Sequence, residues 1–171
     1  MVGGPANGAQ SMFYFKPQSA RGQALHQDNL FLQASPETCI AAWIAIDDVD
    51  AENGGLQVVP GSHNYNLACP ESEMADAEKS FTNVGVRLQD GMETSQTVMK
   101  AGDVLFFHGS MVHGSGPNYS QERTRRSLIF HYVPQNSVEI GRFYLPLLSP
   151  DGEVVVVEGV EKGVVYGEGW T

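Results

Sequence analysis

The sequence predicts an all-β fold, an antiparallel sandwich or barrel. About nine short runs rich in Val, Ile, Phe, Tyr and Trp recur along its 171 residues. Gly, Pro, Asn and Asp punctuate the intervals between them, which is the chemistry of tight turns. One stretch alone, 70–80, repeats its apolar residues at helical spacing, so helices cannot be the main layer.

The length suits a single domain over 1–171, and a hydrophobic content of 42% is enough to build a core. No apolar run approaches the roughly 18 residues of a membrane span. The opening Met1-Val-Gly-Gly-Pro-Ala-Asn-Gly8 lacks the basic start and apolar centre of a secretory signal. Cys39 and Cys69 suit reduced thiols, and the cytoplasm is the expected compartment. A net charge of -10 with no basic stripe disfavours nucleic acid and anionic membranes as partners; the one basic cluster is Arg123, Arg125 and Arg126.

In chain order, Ser11–Lys16 is a strand that ends at Pro17. The stretch from Ala24 to Leu32 carries His26 and Asp28, two positions apart. Side chains at that spacing on a strand share a face, so the pair could hold one metal ion. Thr38–Asp47 is nearly all apolar, as in a strand covered on both faces, a pattern that a short buried helix shares. Residues 47–55 form an acidic turn without the alternating ligands and final glutamate of a calcium loop. Leu56–Val59 is the next strand, stopped by Pro60-Gly61. In 70–80, Glu71, Glu73, Asp76 and Glu78 surround Met74 and Ala77, which predicts a short peripheral helix. Val84–Leu88, the turn Gln89-Asp90-Gly91 and Gln96–Met99 predict a hairpin. After a turn at Ala101-Gly102-Asp103, Val104–Phe107 runs as a strand, and Met111–Asn118 sets His113 at the lip of a glycine-rich turn. Arg126–Tyr132 is β-rich, and Ser149-Pro150-Asp151-Gly152 turns the chain into the valines of 154–157 as a closing hairpin.

One imidazole and one carboxylate leave a metal site incomplete. A second imidazole would complete the facial triad that suits non-haem Fe(II) with open positions. His63, His108, His113 and His131 compete, each of which taken alone also suits a hydrogen-bonded structural role. His113 is the choice: it ends a β-rich run, and Gly114-Ser115-Gly116 after it would let a small molecule approach the backbone. Arg125, at the start of the next strand, could grip a carboxylate bidentately, while Arg126 points to the opposite face. Lys16, Arg21 and Arg123 read as solvated surface charges.

Five blocks together carry a family resemblance. They are Ser11-Met-Phe-Tyr-Phe-Lys-Pro17, Leu25-His-Gln-Asp28, Asn53-Gly-Gly-Leu56 with Pro60-Gly-Ser-His63, Gly102-Asp-Val104, and His113-Gly-Ser-Gly-Pro-Asn118 with Arg125-Arg126. Their types and order resemble the phytanoyl-CoA dioxygenase family over residues 11 to 132. The resemblance implies a double-stranded β-helix of the jelly-roll, cupin-like kind that uses Fe(II), 2-oxoglutarate and O₂. It implies His26, Asp28 and His113 as iron ligands, Arg125 and Ser115 on the distal carboxylate of 2-oxoglutarate, and Trp43, Tyr14 and Met12 lining the cosubstrate pocket. Related halogenating enzymes have a small residue in place of the aspartate, so Asp28 implies hydroxylation of a small-molecule or acyl substrate with release of succinate and CO₂. The segment from Ser120 to Arg125 is one residue longer than the family's spacing, which leaves Arg123 and Arg126 as alternatives for the carboxylate. Family members commonly begin further upstream, so some N-terminal family elements are expected to lie outside this chain. Two rival readings are a catalytically silent jelly-roll module that binds a metal or small ligand, and a cupin-like enzyme with another metal. The oligomeric state is left open.

Overall fold

Long strands form where β-branched and aromatic residues run without interruption, and the two longest organise the molecule. In the computed structural model, which describes residues 3–36, 38–64, 75–82 and 85–161, β1 (Ala6–Lys16) and β8 (Arg125–Pro134) pair antiparallel. The register runs from Ala6 opposite Pro134 to Lys16 opposite Arg125, with one bulge between Gly8 and Gln10. β3 (Ile40–Ala45) pairs with the other edge of β8 and with β6 (Val104–His108). β10 (Leu147–Leu148) and β11 (Val154–Val155) extend the β1 edge, giving a six-stranded sheet in the order β11-β10-β1-β8-β3-β6. A four-stranded sheet combines β2 (Gln23–His26), β7 (His113–Ser115), β4 (Leu56–Val58) and β5 (Ser95–Gln96) in the order β2-β7-β4-β5. β9 (Glu139–Gly141) and β12 (Glu158–Val160) form a small parallel pair.

The two larger sheets face each other as a double-stranded β-helix, the jelly roll expected from the sequence. Their shared core includes Ala41, Trp43 and Ala45 of β3, Phe107 of β6, Ile129 of β8 and Leu56 of β4. Each large side chain fully buried there contributes about 1.5–3 kcal/mol. β3 is buried along almost its whole length, which explains its continuous apolar composition and rules out the helical alternative. β8 alternates instead: Arg125, Ser127, Ile129, His131 and Val133 are buried, and their neighbours Arg126, Leu128, Phe130 and Tyr132 are more exposed. That inward row mixes core residues with polar ones.

Several local expectations need correction. The helix expected over 70–80 lies outside the described residues as far as 74, and 77–79 form a turn in which Asp76 O accepts the N–H of Ser80 and of Lys79. The α-helix among the described residues is elsewhere: α1 (Asn29–Leu32) is a single turn with Phe31 and Leu32 buried, so it belongs to the core and not to the periphery. Tertiary burial outweighs the weak propensity of so short a turn. The hairpin expected around Asp90-Gly91 does not form. The turn exists, with Gly91 at a φ of 83°, but β5 pairs with β4, and residues 86–89 carry no regular structure. Val86 is pulled instead into a small apolar cluster with Val59 and Val112, its N–H bonded to Leu25 O at 2.9 Å. The C-terminal hairpin does form, as β10 and β11.

Candidate metal centre and cation pocket

β2 and β7 lie side by side and bring His26 directly opposite His113. This requires the two backbones to approach closely: a Cβ on Gly114 would lie 2.8 Å from Gln23 O. Gly114 therefore serves the strand pair and not a ligand, as the sequence had suggested, whereas Gly116 borders open space. His26 is the last residue of β2, and Asp28 follows in helical conformation (φ -60°, ψ -37°) at the head of α1. The pair thus converges by a strand-to-helix turn and not along one strand face.

His26 Nε2 and His113 Nε2 lie 3.6 and 3.5 Å from the same oxygen, Asp28 Oδ1, with the imidazole centroids 4.2 Å apart. All three residues are buried, and their potential ligand atoms lie within 4.8 Å of one another. His26 Nδ1 is 2.9 Å from Ala24 O and His113 Nδ1 is 3.0 Å from Met111 O. Carbonyls only accept, so each Nδ1 carries the hydrogen and each Nε2 turns a lone pair towards Asp28 Oδ1. Oδ1 itself has no hydrogen-bond partner among the described residues. The His26 Nε2 lone pair is met by the Gln23 amide at 3.2 Å, and two imidazole nitrogens gathered around one carboxylate oxygen make a donor set suited to a cation. Ligands about 2.0–2.2 Å from a first-row metal sit roughly 3 Å apart in adjacent octahedral positions, and the two histidine-to-Asp28 spacings exceed that by roughly half an ångström. Burial keeps His113 neutral, its pKa lowered to about 4 against the opposing pull of Asp28. Burial works against ionising Asp28, but the His113 and His131 imidazoles and a hydrogen bond from His131 outweigh it and hold the carboxyl well below its usual range.

His131, on the central strand β8, is the neighbour that sequence reasoning left among the alternatives. Its Nε2 lies 3.1 Å from Asp28 Oδ2. The alternation of β8 could have found it, since it is three inward positions along from Arg125. His63 is exposed, and its ring lies 5.9 Å from that of His108.

Met12, Tyr14, Trp43 and Ile129 join Asp28, His113 and His131 around an inner cavity of about 30 Å³. Arg125 is not among the residues that line it; its guanidinium lies 5.5 Å from the ring centre of Trp43, which is, an arrangement suited to cation–π attraction. Arg125 is 3% exposed and donates to Ser127 Oγ at 2.9 Å, but its Nε has no partner among the described residues. Burial lowers its pKa to about 10. The two alternatives behave differently: Arg123 is tied to Asp50 and Glu52 at 2.8 and 2.6 Å, and Arg126 to Asp47 at 2.6 Å. Their partners turn the acidic 47–55 connection into a set of surface ion pairs.

Lys16 is not the solvated charge the sequence suggested. It is 4% exposed, and its Nζ donates to Ser115 Oγ at 2.9 Å, to Gly116 O at 2.6 Å and to Gly54 O at 3.3 Å. Burial, and then the charge of Arg125, lower its pKa to about 6. Ser115 Oγ accepts a second bond from Gln23 N–H at 3.2 Å, which leaves its hydroxyl hydrogen available to a ligand. Arg21 is tied to the carbonyls of Ala77 and Ser80. Among the described residues no helix is long and apolar enough to cross a membrane.

Known proteins resemble this architecture. The non-haem α-ketoglutarate-dependent epimerase SnoN from nogalamycin biosynthesis matches with a TM-score of 0.63 at 25% identity, over 80% of this chain and 52% of that one. The carbocyclase SnoK, from the same biosynthesis, matches at 0.61 and 21% over 95% and 57%. Phytanoyl-CoA dioxygenase 1 of rice is 31% identical over 131 residues, 76% of this chain and 46% of the rice protein. The bovine peroxisomal phytanoyl-CoA dioxygenase is 32% identical over 143 residues, 82% of this chain and 39% of its own length. The chain thus spans less than half the length of these two curated relatives. The family model for phytanoyl-CoA dioxygenase covers residues 2–127, the stretch that holds both strands of the histidine pair and Arg125, and the chain belongs to that family.

Proposed function

We propose that this chain is an Fe(II)- and 2-oxoglutarate-dependent oxygenase domain that hydroxylates a small-molecule or acyl substrate, releasing succinate and CO₂. The observation that carries the proposal is a pair of buried atoms without a hydrogen-bond partner among the described residues: Asp28 Oδ1, which two imidazole Nε2 atoms approach to 3.6 and 3.5 Å, and Arg125 Nε. The first asks for a cation and the second for an anion. A metal-bound dicarboxylate supplies both.

His26, Asp28 and His113 would hold the iron, a donor set that suits Fe(II) and leaves positions open. Iron so held supplies the oxidising chemistry with O₂ and 2-oxoglutarate. Arg125 would grip the distal carboxylate with two parallel N–H bonds, and Ser115 would add its hydroxyl hydrogen. Trp43, Tyr14 and Met12 would exclude water around the carbon chain. Gln23 Nε2 lies 3.2 Å from His26 Nε2, on the lone pair that a metal would take, so this side chain has to swing aside on loading. Its movement also enlarges an inner cavity that now admits one water-sized molecule. Gln23 and Ser115 border an outer cleft of about 820 Å³ as well, and the substrate is assigned to that side. The similar structures include an epimerase and a carbocyclase, so hydroxylation rests here on Asp28 filling the position that a halide would need.

The test is anaerobic loading with Fe(II) and 2-oxoglutarate followed by O₂. Succinate release that His26→Ala and Asp28→Ala abolish is the expected result. Tight iron and 2-oxoglutarate binding with no succinate would instead favour the catalytically silent module, and metal analysis of protein purified without air separates iron from other metals.

A further inference from the structure

The two oxygens of Asp28 have different surroundings. Oδ1 faces the histidine pair without a hydrogen bond, while Oδ2 lies 3.1 Å from His131 Nε2. An ionised carboxylate only accepts, so His131 is the donor and carries its hydrogen on Nε2. His131 Nδ1 has no partner among the described residues, which leaves the bond to Asp28 as the polar contact of this 1% exposed ring.

The two partners are anchored very differently. His131 stands on the central strand of the six-stranded sheet, its Cα in register with Gln10 on β1 and Ala41 on β3. Asp28 sits where β2 has ended, heading a one-turn helix to which its side chain gives no capping bond. Its carboxylate is therefore oriented from across the barrel and not by its own backbone.

We propose that His131 is a positioning residue for the metal: by holding Oδ2 it presents Asp28 as a ligand through Oδ1 alone. The inference rests on the metal-centre reading above. Without this donor the carboxylate is free to rotate and offer both oxygens, which would fill a position that the facial arrangement leaves open. Outer partners of this kind fix the orientation of a ligand and raise its affinity for metal.

Metal-free protein titrated with Co(II) tests this without reference to turnover. Calorimetry gives the affinity, and the visible absorption of Co(II) reports its coordination number. His131→Phe keeps a buried ring and removes the donor; His131→Gln places an amide N–H near the position of Nε2. The expected result is binding about 10–100-fold weaker in His131→Phe, with an altered absorption band, and recovery of most of the affinity and of the wild-type band in His131→Gln. Wild-type affinity and spectrum in His131→Phe would overturn the proposal, and so would a His131→Gln protein as defective as His131→Phe, since both assign the residue to packing. Should the phenylalanine variant not fold, His131→Met, which fills volume without a donor, makes the same comparison with His131→Gln. Failure of the wild type to take up Co(II), or uptake unchanged in Asp28→Ala, would overturn the metal centre itself and is thereby distinguished from failure of His131 alone.

Discussion

The interior of the barrel has two polar ends of opposite character. At one, Asp28, His26 and His113 turn lone pairs towards a common point, and carbonyls and His131 hold the outer atoms of all three. At the other, Arg125 and Lys16, which face each other across β1 and β8, are both buried without a carboxylate among the described residues. An isolated buried ion costs several kcal/mol, and the two ends meet that cost differently. Burial, and then the charge of Arg125, lower the Lys16 pKa to about 6, so near neutrality it gives up its charge, and its amine, with two hydrogens, serves two of its three oxygen neighbours at a time. Arg125 keeps its charge, because even its lowered value of about 10 leaves it protonated. One permanent cation therefore remains at this end, and the lysine beside it adds little repulsion.

Removing the metal end has the largest expected effect. Wild-type protein at a hundredfold excess of Fe(II) over its Kd gains about 2.7 kcal/mol of stability, and Asp28→Ala gains none, as read by anaerobic thermal melting. At the cation end, Arg125→Met should weaken 2-oxoglutarate binding to the metal-loaded protein by about 2–5 kcal/mol in calorimetry, while the ligand-free protein keeps its stability or gains some because a buried unpaired charge is gone. A loss in ligand-free stability would mean that Arg125 is a packing residue.

Lys16 sharpens the difference between the ends through pH. In the unfolded chain it binds its proton up to its ordinary value of 10.5, but in the folded chain only below about 6. Between those values the unfolded state holds the extra proton, so stability rises with pH by up to about 1.4 kcal/mol per unit. The penalty is fully present below about pH 6 and absent above the ordinary lysine range. Denaturant titrations of Lys16→Met should lack this slope, and an unchanged slope would place the titration elsewhere. The smallest effect belongs to the surface: Arg126→Ala breaks an exposed ion pair with Asp47, should cost no more than about 1 kcal/mol, and should leave 2-oxoglutarate binding intact.

Much of this contrast was legible in the residues, and what was missed has definite causes. The strands of the six-stranded sheet followed from β-rich runs bounded by turn residues, and Arg125 and Arg126 separated correctly because alternation along β8 is regular. His26 and Asp28 converge by a route that their spacing does not show: the chain leaves the strand at His26, and a helical turn completes the approach. The burial of Lys16 leaves no local mark in the sequence, because lysine is rarely buried and its three acceptors come from residues 38 to 100 positions away. The hairpin around Asp90-Gly91 failed for the same reason, since Val86 found its apolar partners across the fold.

The most direct measurement of the account is calorimetric titration of 2-oxoglutarate, under anaerobic conditions, into metal-free and Fe(II)-loaded protein, each as wild type, Asp28→Ala and Arg125→Met. If the two ends act together on one metal-bound dicarboxylate, tight binding appears in the Fe(II)-loaded wild type and is lost or strongly weakened in the other five samples. Equal affinity with and without iron, or binding in Arg125→Met as tight as in the wild type, would contradict it.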